Sequence, residues 1–411
     1  MKVLKDSIWS NRSFLLYAIS RFISNFGTSL YIIALPLAVY KMTGSGTSMG
    51  LMGMFETLPL IFGPFIGTFT DYFSKKKVLI IAGVLQAICT GLIPLLFYLD
   101  ILQVYHMYFF GFMLGILTTF MRNAEFSIIS VLFKKDLSGA NAGLSLMWTT
   151  AQFMGPIIAG LLMVYMDAFV LILVNALSFL FPALSMLKID FTEKNDLKKE
   201  KSKGFLKKTI EGFVYIKHNS TLKWIIITLL ISNLADNGLL LVLIYHFRAV
   251  LEMDNSTISW IMAFMGIGSI LGSITYNKLK HISPNKLFIS GFVISTVGTL
   301  GLLIPYWFVL PIVLLILSIG GILVGISQNV IIQESIPYEL LGRVNGTIRM
   351  LALSMRPCSM FILPYLAQEF NTYISFGFVA ALNLLSFLII LFSDLNEKKN
   401  SKKNIQINDI L

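Results

Sequence analysis

The sequence predicts an all-α polytopic membrane protein with twelve transmembrane helices in two pseudo-symmetric six-helix bundles. Three observations support this fold class: an apolar composition, twelve apolar runs of membrane-spanning length, and a repeat between the two halves. Of the 411 residues, 56% are hydrophobic and only 13% are charged, with a mean hydropathy of +0.79. Soluble proteins carry about 25% charged residues. The composition therefore excludes a soluble enzyme, a disordered chain and a secreted disulfide scaffold.

The apolar runs define the elements and the domains. A membrane-spanning helix needs about 20 mostly apolar residues. A Lys-rich segment separates the first six runs from the last six, and its residues 205–218 have the pattern of an amphipathic helix on the inner leaflet. We predict an N-terminal bundle over 1–189, a linker over 190–219, a C-terminal bundle over 220–395 and a tail over 396–411. The runs lie at about 12–40, 47–70, 78–98, 104–132, 141–165, 168–188, 221–248, 256–276, 286–305, 308–333, 343–367 and 372–393.

The basic residues set the orientation of these spans. Of the 32 Lys and Arg residues, only Lys41 and Arg248 fall in the segments that would be outside if the N-terminus is cytoplasmic. Cytoplasmic loops carry an excess of Lys and Arg. We therefore expect the protein in the cytoplasmic membrane, with both termini on the cytoplasmic side. The net charge of +11 reflects this topology, and we expect no nucleic-acid partner.

The two halves repeat one another at an almost constant spacing. Three sets of residues recur 204–208 positions later, which indicates a parallel repeat of six helices with a cleft between the bundles. The matches are Ser24-Asn25 with Ser232-Asn233, Gly63 and Gly67 with Gly268 and Gly272, and Leu137 and Asn141 with Leu341 and Asn345.

Charged residues inside the spans are the candidates for chemistry. A charge at the centre of a span costs about 2.5–3.5 kcal/mol on insertion scales, so each needs a partner or a role. We hypothesise that Glu56 or Asp236 carries an exchanged proton; the alternative is an ion pair with Arg21 or Arg356. Asp236 aligns with Thr28 in the repeat, and Asp236-Asn237-Gly238 is the most helix-breaking point of its span. The proposed substrate and proton site comprises Arg21, Asn25, Glu56, Trp148, Asn233, Asp236 and Arg356.

The Arg122–Glu125 pair and Trp148 can each be interpreted in two ways. Arg122 and Glu125 are three residues apart on one helix face, which predicts an intrahelical pair supporting an inner gate. The alternative is a proton relay with Asp71. Trp148 falls within a span, where it either lines a cavity for flat apolar drugs or simply packs.

Two motifs point to a conformational switch. Gly67-x-x-x-Asp71 followed by Lys75-Lys76 lies between the second and third spans, where Asp71 is either a helix cap or part of a switch. Gly155-Pro156 in the fifth span bends a helix and admits a close neighbour. The first motif resembles the signature loop of the major facilitator superfamily, and the second resembles a motif of its exporters. Tyr72 departs from the first motif, where the family prefers a basic residue.

Further stretches resemble the drug and siderophore exporters of this superfamily, including macrolide-efflux proteins. These are residues 21–27, 34–36, 43–45, 122–126 and 137–143. The resemblance implies a secondary transporter that exports an amphiphilic compound, such as a macrolide-type antibiotic, by alternating access. The carboxylates inside the spans favour exchange for protons, and we expect a monomer. Many members of the family have an acidic residue at the position of Thr28, and an Asp and an Arg at the positions of Gly83 and Gln86. Coupling schemes that rely on those charges therefore do not apply to this chain.

No enzyme signature is present. The chain has no Gly-Lys dipeptide and hence no Walker A loop, and it has no metal-ligand spacing. We therefore expect no cofactor and no ATP hydrolysis. Two alternatives stay open: a lipid translocator or a metabolite or siderophore transporter of the same fold, and a transport-inactive membrane sensor.

Overall fold

The computed structural model describes residues 8–70, 72–133, 136–189, 213–337 and 340–393. All regular secondary structure within these ranges is helical. Eight helical stretches described there, some of which join successive helical segments, are long and apolar enough to cross a membrane. Each predicted apolar run coincides with one long helix or with shorter helical segments in succession. The all-α, twelve-span fold class is confirmed.

The first six runs contain helices that follow the predicted boundaries closely. The second span is divided by a 3-10 turn over Leu58–Phe62, and the sixth is divided at Phe179. The helices are α1 (Arg12–Thr43), α2 (Gly46–Thr57), α3 (Gly63–Thr70), α4 (Lys75–Tyr98), α5 (Val104–Leu132), α6 (Leu137–Leu162), α7 (Ala168–Ser178) and α8 (Leu180–Lys188).

The last six runs contain a second series of helices. The seventh span is the least regular, because it is interrupted after Asp236 and ends in a π-helical turn over His246–Val250. The helices are α9 (Ser220–Asp236), α10 (Leu239–Tyr245), α11 (Asn255–Leu279), α12 (Pro284–Gly301), α13 (Leu310–Glu334), α14 (Leu341–Glu369) and α15 (Thr372–Leu391).

Side-chain caps explain where several helices begin. The first amide groups of a helix have no partner within it, and Asn and Asp side chains accept their hydrogen bonds. Asn11 accepts from the amides of Ser13 and Phe14 at 2.9 and 3.2 Å, which starts α1. Asn219 starts α9 in the same way at 3.0 Å from the Leu222 amide, at the equivalent position of the repeat.

The chain forms two compact units. The first comprises Met1–Glu200 and Ile244–Ala263, and the second comprises Lys201–Leu243 and Phe264–Leu411. These units place 244–263 with the N-terminal residues, whereas the predicted C-terminal bundle includes that segment; the four predicted domain ranges stay a prediction. In the structure the Tyr245 ring packs edge-on against the Tyr40 ring at 5.9 Å, which joins this segment to α1.

The core of the first unit gathers around the beginning of α1. Phe14 is fully buried, and its ring meets those of Trp9 and Phe133 edge-on at 5.2 and 5.3 Å. Edge-to-face pairs of this kind add roughly 0.5–1.5 kcal/mol each beyond the burial of area. These contacts join the beginning of α1 to the end of α5, and Ala140 near the beginning of α6 is buried in the same cluster.

The core of the second unit includes the described end of the predicted linker. Residues 213–218 are helical, and Tyr215 and Ile216 are buried in a cluster with Phe288. The Tyr215 hydroxyl donates to the carbonyl of Ser335 at 3.1 Å, and burial raises the pKa of Tyr215. The apolar face of this segment packs against protein; residues 205–212 of the predicted amphipathic helix lie outside the described residues.

Candidate functional site

The seventh span breaks where the sequence predicts it. α9 ends at Asp236, and α10 begins at Leu239. The Gly238 amide donates to Ser359 Oγ at 2.8 Å. A side chain at position 238 would collide with the Ser359 carbonyl, so only glycine permits this close approach of backbones. Asn237 also folds back, because its Nδ2 donates to the Asn233 carbonyl at 2.7 Å.

Asp236 is held by a neutral partner. Nδ2 of Asn383 on α15 donates to Asp236 Oδ1 at 3.2 Å. Asn383 is only 2% exposed, whereas Asp236 is exposed. Among the described residues the structure gives Asp236 this amide and no ion pair. A carboxylate with an amide partner exchanges a proton without breaking a salt bridge.

Asn383 is a site residue that the sequence reasoning missed, although a signal for it exists. Asn175 and Ser178 in α7 recur as Asn383 and Ser386 in α15, at the spacing that relates Ser24 to Ser232. Both asparagines are buried, at 0% and 2% exposed. The sixth and twelfth spans therefore carry the same polar pair, facing the first and seventh spans.

The first unit keeps this polar pair without a carboxylate. A side chain at Gly27 would meet Ser178 and Asn175, so α1 and α7 are in close contact. Thr28 aligns with Asp236, and its hydroxyl donates to the Ser24 carbonyl at 2.9 Å. The Asn175 Nδ2 group is buried and has no hydrogen-bond acceptor among the described residues.

Arg21 belongs to a buried cluster that joins α1 to α5. Its Nε lies 2.8 Å from Glu125 Oε1, and the two side chains are only 17% and 16% exposed. The Tyr17 hydroxyl donates to the same oxygen at 2.8 Å. The predicted pair was Glu125 with Arg122, but the ion pair that the structure gives Glu125 is interhelical, and Arg122 is exposed.

Glu56 lies at another irregular point of a span. It is the penultimate residue of α2, just before the 3-10 turn, and is partly buried. Position 115 is glycine, because a side chain there would collide with the Glu56 carbonyl. The buried Tyr31 hydroxyl has no hydrogen-bond partner among the described residues and lies within electrostatic range of Glu56.

The remaining predicted substrate residues are dispersed. Asn25 is partly buried in α1, and its carbonyl accepts from Ser29 Oγ at 3.0 Å. Trp148 in α6 is 52% exposed. Arg356 in α14 is partly buried. Arg21, Asn25, Glu56 and Trp148 belong to the first unit, and Asn233, Asp236 and Arg356 belong to the second.

The lysines at the beginning of α4 bind the C-terminal ends of two other helices. Lys75 is buried, and its Nζ donates to the Thr70 carbonyl at 2.7 Å. Lys76 Nζ donates to the Ile189 carbonyl at 2.8 Å. Cations at helix C-termini satisfy unpaired carbonyls and the helix dipole. Gly67 packs against the Asn123 amide, while Asp71 of the same motif lies outside the described residues.

Gly155 permits a close contact between α6 and α1. A side chain at this position would overlap Ser29, and α6 is helical throughout the Gly155-Pro156 pair. The equivalent contact in the second unit joins Ser359 to Gly238. The glycine and the hydroxyl residue have exchanged helices between the two halves. Close packing of this kind is typical of membrane helices.

The described residues contain no cluster of three or more His, Cys, Asp or Glu side chains that could hold a metal ion.

Residues 17–356 match the profile of the Major Facilitator Superfamily. The chain belongs to the major facilitator superfamily. Membership makes it a multi-pass membrane transporter of small molecules and not an enzyme.

Relatives within the superfamily include efflux pumps. The chain is 23% identical over 366 residues to the multidrug efflux pump Tap of Mycolicibacterium fortuitum, covering 85% of this chain and 88% of that protein. It is 22% identical over 366 residues to macrolide efflux protein A of Streptococcus pyogenes, with the same coverage of 85% and 88%. The crystal structure of the nucleoside transporter NupG superposes with a TM-score of 0.75 at 13% identity, covering 95% of this chain and 100% of NupG.

Proposed function

We propose that this transporter exports amphiphilic drugs, macrolide-type antibiotics among them, across the cytoplasmic membrane in exchange for protons by alternating access. The resemblance of the sequence to exporters supports the direction of transport, and the relatives named as efflux pumps support the substrate class. The observation that carries the proposal of proton coupling is Asp236, an exposed carboxylate at a helix break inside a membrane span.

Asp236 is the preferred proton carrier in this proposal. An ionised carboxylate inside a membrane has a free-energy cost of roughly several kcal/mol, and binding a proton removes that cost because it neutralises the charge. Asn383 supports the ionised form through its hydrogen bond of 3.2 Å. The break between α9 and α10 provides a place at which the helix can adjust when this charge appears or disappears.

Glu56 is the second candidate for the carrier. It also lies beside an irregular turn, between α2 and the 3-10 segment. Arg21 is less suited to direct coupling than the sequence suggests, because its ion pair with Glu125 occupies its Nε group. Asn25, Trp148, Asn233 and Arg356 are the proposed substrate contacts.

The conformational switch is proposed for the helix ends of the first unit. Lys75 and Lys76 tie the ends of α3 and α8, and any movement of α4 relative to these ends breaks charge-assisted hydrogen bonds. Gly67, Asp71, Arg122, Glu125, Gly155 and Pro156 complete the proposed gating set. We propose a monomer with both termini in the cytoplasm.

Transport by the purified full chain in proteoliposomes tests this function. A pH step is imposed with the lumen acidic, and uptake of a radiolabelled macrolide is measured with and without a protonophore. In inside-out vesicles the proposal predicts accumulation that the protonophore abolishes. Equal uptake with and without the pH step would refute proton coupling.

The same vesicles distinguish the alternatives. A radiolabelled siderophore, a nucleoside and a fluorescent phospholipid replace the macrolide in parallel assays. Movement of the phospholipid between leaflets without macrolide uptake would favour a lipid translocator. Transport of none of these compounds, together with unchanged antibiotic susceptibility of cells carrying the protein, would favour a membrane sensor.

A further inference from the structure

A pocket with two basic side chains lies in the first unit at the end of α1. Its volume is about 450 Å³, within the range of small-molecule pockets. It is lined by one turn of α1, the junction between α6 and α7, and the π-helical turn. The lining residues are Leu37, Tyr40, Lys41, Met163, Asp167, Ala168 and Arg248. We call it the Lys41–Arg248 cavity.

Lys41 is fixed in position within this cavity. Its Nζ pairs with Asp167, which also caps the beginning of α7. The ammonium group lies 5.2 Å from the ring centre of Phe97 and 5.9 Å from that of Phe169. These two rings stack on each other, 3.6 Å apart. Lys41 nevertheless stays 52% exposed, so a ligand can reach it.

Arg248 provides the second cation of the lining. The π-helical turn positions it, and its Nη1 donates to the Met253 carbonyl at 2.9 Å. A guanidinium has five N–H donors, and the structure gives this one a single hydrogen bond among the described residues. Asp254 acts on Arg248 electrostatically from outside the lining, and its Oδ1 accepts from the Thr257 hydroxyl.

The lining carries more positive than negative charge, which favours an anion. Two cations face one carboxylate, and that carboxylate is already paired with Lys41. Arg binds phosphate through its planar fork of donors, and Tyr40 adds a hydroxyl. The apolar residues Leu37, Met163 and Ala168 suit the carbon atoms attached to a phosphodiester. Lys41 and Arg248 are also the two basic residues that the sequence assigns to the outer side of the membrane.

We propose that the Lys41–Arg248 cavity binds one phosphate group, with Arg248 as its principal contact. A phosphodiester of a phospholipid and inorganic phosphate share this chemistry. The proposal does not depend on the transported substrate, because no lining residue of the cavity belongs to the proposed substrate and proton site.

Binding to the purified full chain in maltoside detergent tests the proposal. Short-chain phosphatidylglycerol, short-chain phosphatidylcholine, inorganic phosphate and diacylglycerol are titrated separately, and dissociation constants are measured by thermophoresis. We expect phosphatidylglycerol to bind and Arg248→Gln to weaken it about tenfold or more, which is typical of losing charge-assisted hydrogen bonds. Arg12→Gln is the matched control, because Arg12 is an exposed arginine at the opposite end of α1; its affinity should stay within about twofold of wild type.

The other probes identify the source of the phosphate. Binding of inorganic phosphate that is also lost in Arg248→Gln supports a site for the phosphate alone, and binding restricted to the phospholipids supports a lipid site. Arg248→Lys keeps the charge without the fork and should weaken binding less than Arg248→Gln, which provides a test even if the Gln variant does not fold. Equal affinity of wild type and both Arg248 variants, or equal binding of diacylglycerol and phosphatidylglycerol, would overturn the proposal.

Discussion

Removing the carboxylate of Glu125 should destabilise the first unit strongly. The Arg21 Nε to Glu125 Oε1 distance is 2.8 Å, and both side chains are about five-sixths buried. Breaking a buried ion pair from one side costs 3–5 kcal/mol, because the other charge stays buried without its partner. Some exposure remains, so we expect about 3 kcal/mol for Glu125→Gln, at the low end of that range. The amide keeps the shape and still accepts from the Tyr17 hydroxyl.

A double-mutant cycle separates this pair from the one predicted by helix periodicity. The free energy of unfolding in detergent is measured for Glu125→Gln, Arg21→Gln and the double variant, and again with Arg122→Gln in place of Arg21→Gln. We expect a coupling energy of about 2 kcal/mol for Arg21 with Glu125. For Arg122 with Glu125 we expect about 0.5 kcal/mol or less, since Arg122 is exposed. A larger coupling for Arg122 than for Arg21 would refute the reasoning.

Three further substitutions test other contacts. Gly155→Val should lower the free energy of unfolding by about 2 kcal/mol or more through overpacking, whereas Gly346→Ala, which adds a side chain in open space on a helix, should stabilise by up to about 1 kcal/mol. Lys75→Met should cost about 1.5–3 kcal/mol by removing a charge-assisted hydrogen bond, and the exposed Lys77→Met less than about 0.5 kcal/mol. Asn383→Leu should reduce proton-driven transport in proteoliposomes about tenfold or more, with normal amounts of folded protein.

Asn175→Leu is the control for the last of these substitutions. Asn175 occupies the equivalent position in the first half, but its Nδ2 group has no acceptor among the described residues. We expect Asn175→Leu to keep at least half of the wild-type transport. Equal losses in both variants would mean that Asn383 acts through packing and not through Asp236.

Features that depend on local sequence were predictable. Apolar runs gave the limits of the helices, and Asp236-Asn237-Gly238 predicted the interruption between α9 and α10, because these residues favour helix ends. The lysines after Gly67 were expected at the loop, but not their acceptors, the carbonyls of Thr70 and Ile189.

Contacts between helices were harder to predict. Lipid and the helix interior are equally apolar, so hydropathy does not tell which face of a span meets a neighbour. Helix periodicity consequently paired Glu125 with Arg122 on its own helix and missed Arg21 on α1. For the same reason the contact of Asn383 with Asp236 was not predicted. Asn383 and Asn175 are nevertheless separated by the same number of residues as Ser232 and Ser24.

Proton flux through Asp236→Asn tests the proposed coupling most directly. In proteoliposomes with an imposed pH step, we expect this variant to lose macrolide-dependent proton movement while it still binds the macrolide. The reason is that an amide has the shape of the carboxylate but does not take up or release a proton. The exposed carboxylate of Glu334 lies at the end of α13, and Glu334→Gln should keep wild-type flux. Wild-type proton flux in Asp236→Asn would contradict the role proposed for this residue.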